Sequence, residues 1–257
     1  MLFDTHTHLN DAELYNDLDN VLARAEKAGV EKMAAVGYNW ASSLMSVRLA
    51  EKYPQRIYAI VGIHPYDAKL WDNALSKRLS ALASEPQVVA IGEIGLDYYR
   101  DISSPEEQKK AFISQIDLAK QLRKPIVIHN RETHGDMMKI LRQEKAGLNG
   151  GVLHCFSGSV EIARECIKLG FHISLAGPVT FHNARNLHQV AKEIPLEHLL
   201  VETDCPYLSP HPYRGKTNEP ARVALVVAKI AEIKNIDIKE VEQVTTANAC
   251  KIFSIQS

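Results

Sequence analysis

Short apolar runs alternate with longer segments of helical period along this chain, about eight times over. The apolar runs cover residues 2–9, 32–38, 57–64, 88–97, 125–131, 151–157, 171–178 and 199–206. Several are continuously apolar, as strands buried on both faces must be, and strands alternating with helical segments indicate a parallel sheet with helical crossovers. Eight such units predict an α/β fold, a (β/α)8 TIM barrel. Barrels of this kind typically use about 250 residues as one domain, so the 257 residues here are read as a single domain over 1–257.

The intervening segments carry start and stop signals. Leu18, Val21, Leu22 and Ala25 form one apolar stripe that ends at Gly29. Ser104-Pro105-Glu106-Glu107 supplies an N-cap, a proline at the first helical position and a capping-box glutamate, ahead of a stripe through Phe112, Ile116 and Ala119. Ser159 caps a shorter helix with Ile162, Ala163, Cys166 and Leu169 inward and Gly170 as its stop. Pro220 is expected to open a helix through Val223, Val226, Val227 and Ile230, and residues 238–253 form a last one. The longest irregular stretch, 207–219, follows the eighth strand, where a barrel presents its reactive end.

Charge narrows the possible partners. Thirty basic against thirty-one acidic residues argue against a protein that grips long duplexes through a broad basic surface, so any nucleic-acid contact is expected to be local. The first residues lack a basic region followed by a long apolar one, and no run approaches the roughly 18 apolar residues of a membrane span. A cytoplasmic protein without membrane contact is expected, and no obligate protein partner is evident. Cys155, Cys166, Cys205 and Cys250 lack CxxC spacing and read as reduced thiols. Cys155 follows His154 and Cys205 follows Asp204, so strand alternation predicts that both thiols face away from a site holding the His and the Asp.

The chemistry is concentrated late in the strands. His6-Thr7-His8 lies in the first run, where period two aims both imidazoles at one face. Glu93, His129, His154 and Asp204 recur near the C-terminal ends of runs four, five, six and eight, where barrel enzymes place catalytic residues. A carboxylate buried alone in such a run is costly, and a cation satisfies several at once. Six side chains exceed the three or four that one catalytic ion takes from protein, and suit two ions sharing a carboxylate. Such a pair polarises a phosphoryl or carbonyl oxygen and activates water, and the mixed imidazole and carboxylate set suits Zn²⁺, Mn²⁺ or Fe²⁺ better than Ca²⁺.

These residues fall within motifs spread nearly end to end: Phe3-Asp4-Thr5-His6-Thr7-His8, Gly62-Ile63-His64-Pro65, Ile91-Gly92-Glu93-Ile94-Gly95-Leu96-Asp97, His129-Asn130-Arg131, Leu153-His154-Cys155-Phe156-Ser157-Gly158, Glu202-Thr203-Asp204-Cys205-Pro206-Tyr207-Leu208 and Asn218-Glu219-Pro220. In them the chain resembles the TatD family of metal-dependent deoxyribonucleases, within the amidohydrolase-like barrels. The resemblance implies one divalent ion (Zn, Mn, Mg or Fe) held by His6, His8, Glu93 and Asp204 and a second held by Glu93, His129 and His154. Glu93 bridges them in this scheme, and Asp204 also orients or deprotonates the attacking water. Run four contains no lysine of the kind that bridges metals in phosphotriesterase-like relatives.

The resemblance further implies that His64 is a non-ligand active-site histidine touching phosphate or leaving group. Arg131, Arg214 and Lys216 are candidates for phosphate contact, by guanidinium fork or point charge. Asp97 and Arg100 are read as supporting the ligands or anchoring a loop, and Asn218 and Glu219 as residues ahead of a helix start. The other histidines and both tryptophans, Trp40 and Trp71, read as structural. Hydrolysis of DNA phosphodiesters from strand ends or single strands is the expected activity. Two alternatives stay open: a metal-dependent hydrolase of a small ester, lactone or amide, and a non-catalytic metal-binding interaction protein.

Overall fold

A computed structural model describes residues 1–256 of the chain. Eight parallel strands pair in sequence order: β1 (Leu2–Thr7), β2 (Val30–Val36), β3 (Ile57–Val61), β4 (Val88–Asp97), β5 (Ile126–Arg131), β6 (Gly151–Leu153), β7 (Phe171–Leu175) and β8 (Leu199–Val201). The ring closes through a bridge between Thr7 and Cys205, where the Asp204 amide donates to the His6 carbonyl at 3.0 Å and the His8 amide to the Cys205 carbonyl at 2.8 Å. This is the (β/α)8 barrel that the alternation predicts.

Among the described residues ten α-helices run between and around the strands: α1 (Ala12–Tyr15), α2 (Leu18–Lys27), α3 (Trp40–Lys52), α4 (Asn73–Ala83), α5 (Pro105–Leu122), α6 (His134–Gln143), α7 (Val160–Lys168), α8 (Arg185–Glu193), α9 (Val223–Lys234) and α10 (Ile238–Ile252). The capping box at α5 forms as read: the Glu107 amide donates to the Ser104 hydroxyl, and the Ser104 amide donates to the Glu107 carboxylate at 2.8 Å. Pro220 departs from expectation. It opens a 3-10 turn, Pro220–Arg222, and the α-helix begins only at Val223. Among the described residues no helix is long and apolar enough to cross a membrane.

Two apolar layers define the inside and outside of the barrel. Phe3, Ala34, Val36, Ile60, Ala90, Val127, Val152 and Leu200 pack together in the interior, with Phe253 against Phe3. Met33, Ala35, Ile91, Ile94, Ile126 and Ile128 belong instead to the outer layer shared with the helices.

Register against these layers shows how the polar residues turn inward. Asp4 pairs with Met33 and Thr7 with Ala35, so three steps along β1 match two along β2. The extra residue reverses the alternation, and both Phe3 below and His6 above face the interior. The same device recurs where Ile91 pairs with Ile126 and Ile94 with Ile128, which turns both Ala90 and Glu93 inward. Backbones crowd here: a Cβ on Gly62 would lie 2.6 Å from the Gly92 carbonyl carbon. Glycine at 62 is therefore a packing requirement of the β3 and β4 contact.

Several strands end earlier than the sequence predicts, and β2 spans Val30–Val36 rather than 32–38. His8, His64, His154 and Asp204 lie just beyond their strands, on backbone that has left regular pairing. Cys155 and Asp204 have φ of 42° and 58°, conformations that no strand contains. The alternation argument therefore stops short of Cys155. Cys205 is buried within the outer apolar layer, as expected. Cys155 is half-buried, and its thiol is pushed well above the ordinary range by burial and by the carboxylates of Asp204, Glu202 and Glu93. Its backbone amide, rather than its sulfur, meets a carboxylate, donating to Glu202 Oε1 at 2.6 Å. Among the described residues no cysteine sulfur joins the clusters of potential ligand atoms.

Candidate metal centre

All six residues singled out as ligands, together with His64, converge at the C-terminal mouth of the barrel. Glu93 is at the centre, and its two oxygens face different imidazoles. Oε2 lies 3.6 Å from His6 Nε2 and 3.9 Å from His8 Nε2. Oε1 lies 3.0 Å from His129 Nδ1 and 2.8 Å from His154 Nε2. Asp204 Oδ1 completes the first group, 3.4 Å from His8 Nε2 and 3.7 Å from His6 Nε2.

What stands behind each ring decides which nitrogen carries its lone pair. His8 Nδ1 donates to the Val36 carbonyl at 3.2 Å, which leaves Nε2 as the bare nitrogen facing the carboxylates. His129 Nε2 lies 2.8 Å from Asp97 Oδ2, leaving Nδ1 toward Glu93. His154 has Glu202 Oε1 3.4 Å from Nδ1, an ion-pair distance without hydrogen-bond geometry, and turns Nε2 to Glu93 at 2.8 Å. Lone pairs aimed at a carboxylate repel it unless a proton or a cation lies between them, and a carbonyl or carboxylate behind the ring is how ligand histidines are oriented. Among the described residues His6 is buried with neither ring nitrogen hydrogen-bonded. Such orphaned donors are costly unless a ligand satisfies them, so the residues present fit a bound divalent cation.

His64 is wired the opposite way. Its Nδ1 accepts from the Tyr66 amide at 3.2 Å, so in the neutral ring Nε2 carries the hydrogen, 3.6 Å from Glu93 Oε1. Burial lowers its pKa to about 3 and keeps it neutral. His64 stands geometrically in a cluster with Glu93 and His129, yet it presents a donor rather than a lone pair.

The electrostatics favour positive charge between the rings and the carboxylates. Burial alone would lower His154 and His129, but the facing carboxylates, with Glu202 behind His154 and Asp97 behind His129, outweigh it and raise both. Burial likewise opposes ionisation of Glu93 and Asp204, and the surrounding imidazoles overcome it, holding both carboxyls below their usual range.

Two further carboxylates belong to the site. Glu202, fully buried, accepts from the Cys155 amide at 2.6 Å and the Ser174 hydroxyl at 2.5 Å, and groups with His6 and His154. The sequence shows it as a costly buried carboxylate but gives it no role, since period two places it on the same face as Asp204. Asp97 resolves the choice that the sequence left open and does both things: it backs His129, and it accepts from the Tyr99 and Arg100 amides at 3.0 and 3.2 Å. The His129 ring pulls its pKa down to about 2 against burial.

The basic candidates stand outside this cluster. Arg131 stacks on Tyr99 at 3.7 Å, Arg214 on Phe181 at 4.8 Å, and Lys216 lies 5.9 Å from the Tyr213 ring. Asn218 is fully buried and donates to the carbonyls of Thr203 and Tyr207, and Glu219 pairs with Arg24 at 2.6 Å. Both therefore anchor the 207–219 loop.

Comparison with known proteins accords with this geometry. The family described as TatD related DNase matches residues 3–254. The chain belongs to the TatD family. A relative from Bacillus subtilis (strain 168), the uncharacterized metal-dependent hydrolase YabD, is 46% identical over 255 residues, covering 99% of this chain and all of the relative. The 3'-5' ssDNA/RNA exonuclease TatD of Klebsiella pneumoniae (strain 342) is 37% identical, with 99% and 98% of the two chains covered. The crystal structure of YJJV, a TatD homolog from Escherichia coli K12, superposes with a TM-score of 0.93 at 31% identity, over 99% of this chain and 98% of that one. The protein is thus a TatD-family metal-dependent hydrolase.

Proposed function

We propose that this TatD-family hydrolase cleaves phosphodiester bonds of DNA at single-stranded ends, using two divalent ions that share Glu93. The observation that carries the reading is the division of labour at Glu93, whose Oε2 faces His6 and His8 while Oε1 faces His129 and His154. When bound, two such ions polarise the phosphoryl group and lower the pKa of water.

The protein's own residues supply the rest. Asp204 Oδ1, beside His8, accepts the proton of the attacking water. His64 presents its Nε2 hydrogen to a phosphate oxygen or to the leaving oxygen. Asp97 and the Val36 carbonyl fix the His129 and His8 rings, and Glu202 stands 3.4 Å from His154 Nδ1, so the constellation is organised before substrate arrives. Arg131 at the end of β5 and Arg214 and Lys216 on the loop after β8 meet flanking phosphates. The exonuclease named among the relatives supports a nucleic-acid substrate, and the net charge of −1 supports a local grip on ends over a long duplex track.

The test is to strip the protein with chelator, reload it with Zn²⁺, Mn²⁺, Mg²⁺ or Fe²⁺, and assay single-stranded and duplex DNA beside a panel of esters, lactones and amides. Metal-restored DNA cleavage with two ions per chain is expected, and Glu93→Gln loses bound metal and cleavage together. Turnover of a small ester with none of DNA, or two retained ions and near-normal cleavage in Glu93→Gln, overturns the reading.

A further inference from the structure

Tyr99 is a large aromatic side chain left 55% exposed in the loop after β4. Burial does not account for its placement, yet it is firmly held. Its amide donates to Asp97 Oδ1 at 3.0 Å, and the neighbouring Tyr98 amide donates to the Arg131 carbonyl at 3.1 Å. Asp97 also backs His129, so the exposed ring and the metal centre share one rigid mount. The Arg131 guanidinium lies over this ring, 3.7 Å from its centre. Among the described residues Arg131 makes no ion pair, so its contact with the ring leaves the guanidinium charge uncompensated and open to an anionic ligand.

We propose that Tyr99 and Arg131 form a stacking platform for a nucleobase of single-stranded DNA, next to the phosphodiester being cut. The inference rests on the nucleic-acid reading above and adds a residue that sequence reasoning passed over. Every base has a π-face, so stacking on an aromatic ring or a guanidinium plane gives affinity without sequence preference. Only an unpaired, splayed base offers that face freely, which couples the platform to single strands and frayed ends. Arginine suits the position because its plane stacks while its edge donors stay free for a flanking phosphate. A layered pair of this kind also gives a near-neutral protein a local grip that counterion release does not supply.

The test compares wild type, Tyr99→Ala, Tyr99→Trp and Arg131→Lys, first by binding of a fluorescent oligothymidylate to protein stripped of metal. Tyr99→Ala is expected to weaken binding about tenfold, roughly 1.4 kcal/mol. Tyr99→Trp restores it, and the introduced indole fluorescence is quenched as oligomer binds. Arg131→Lys keeps the charge, loses the plane, and weakens binding as Tyr99→Ala does. In the reloaded enzyme Tyr99→Ala raises KM for the oligomer far more than it lowers kcat, and changes hydrolysis of bis(4-nitrophenyl) phosphate much less. Wild-type oligomer binding in Tyr99→Ala, or an unquenched indole in Tyr99→Trp, overturns the platform while DNA cleavage stands. Wild-type protein that hydrolyses the small diester but neither binds nor cuts DNA overturns the platform and the substrate reading together.

Discussion

Both His8 and His64 sit just past the end of a strand and face Glu93, at 3.9 and 3.6 Å, and the partner of Nδ1 separates their roles. Val36 offers a carbonyl to His8, while Tyr66 offers an amide hydrogen to His64. One ring thus presents a lone pair and the other a hydrogen. His64→Ala should retain the metal stoichiometry of the wild type, as read by elemental analysis, while DNA turnover falls by about 10²-fold or more. Loss of an ion in that variant would mean that His64 is a ligand. At this scale the sequence was informative, because a charged or imidazole side chain late in an apolar run is costly to bury unless a site satisfies it. Its limit is the second carboxylate in a run. Glu202 and Asp204 are indistinguishable by period two, and only the left-handed backbone at Asp204, φ 58°, moves one of them toward His8 and leaves the other behind His154.

Strands and helices were legible wherever apolar periodicity is clean and bounded by a cap or a stop glycine, as at α5 and α7, capped by Ser104 and Ser159, and at α2, which ends ahead of Gly29. The inward turn of the proposed ligand residues was not. Unbroken alternation from Phe3 would put Thr5 and Thr7 with it inside the barrel and send His6 and His8 out among the helices. The register shifts in β1 and β4 reverse this, and a one-residue slip has no compositional signature beyond a glycine. Gly62 is such a trace, since the backbone of Gly92 occupies the space a methyl group would need. Gly62→Ala should therefore destabilise the fold by about 1–3 kcal/mol in urea unfolding, as forced overpacking does. It should also lower metal affinity, because Glu93 is carried on the displaced strand. A variant within about 0.5 kcal/mol of wild type, the range of an ordinary surface change, would show that the two strands do not approach this closely.

Across the whole molecule, the proposed ligand residues from five strands, β1, β4, β5, β6 and β8, or the backbone just past them are held at one mouth, and the loop after β8 is tied back to the segment after β1. Arg24 reaches Glu219 at 2.6 Å, Glu13 accepts from Thr217 at 3.2 Å, and Asp11 from the Tyr207 hydroxyl at 3.3 Å. These ties present Arg214 and Lys216 on a fixed loop rather than a free one, with Arg131 carried at the end of β5. The balance of thirty basic and thirty-one acidic residues leaves no excess charge elsewhere to hold a polyanion. Affinity for single-stranded DNA should then respond to salt as a small number of phosphate contacts would. Each contact to a single strand contributes a slope of about −0.7 in log K against log salt, so contacts by these three residues give a total of about −2. Arg214→Ala should bring that slope nearer zero by about 0.7, measured by anisotropy titrations at several ionic strengths. A slope of about −5 would require a broad basic track that this charge balance does not supply, and an unchanged slope in Arg214→Ala would remove that residue from the path of the substrate.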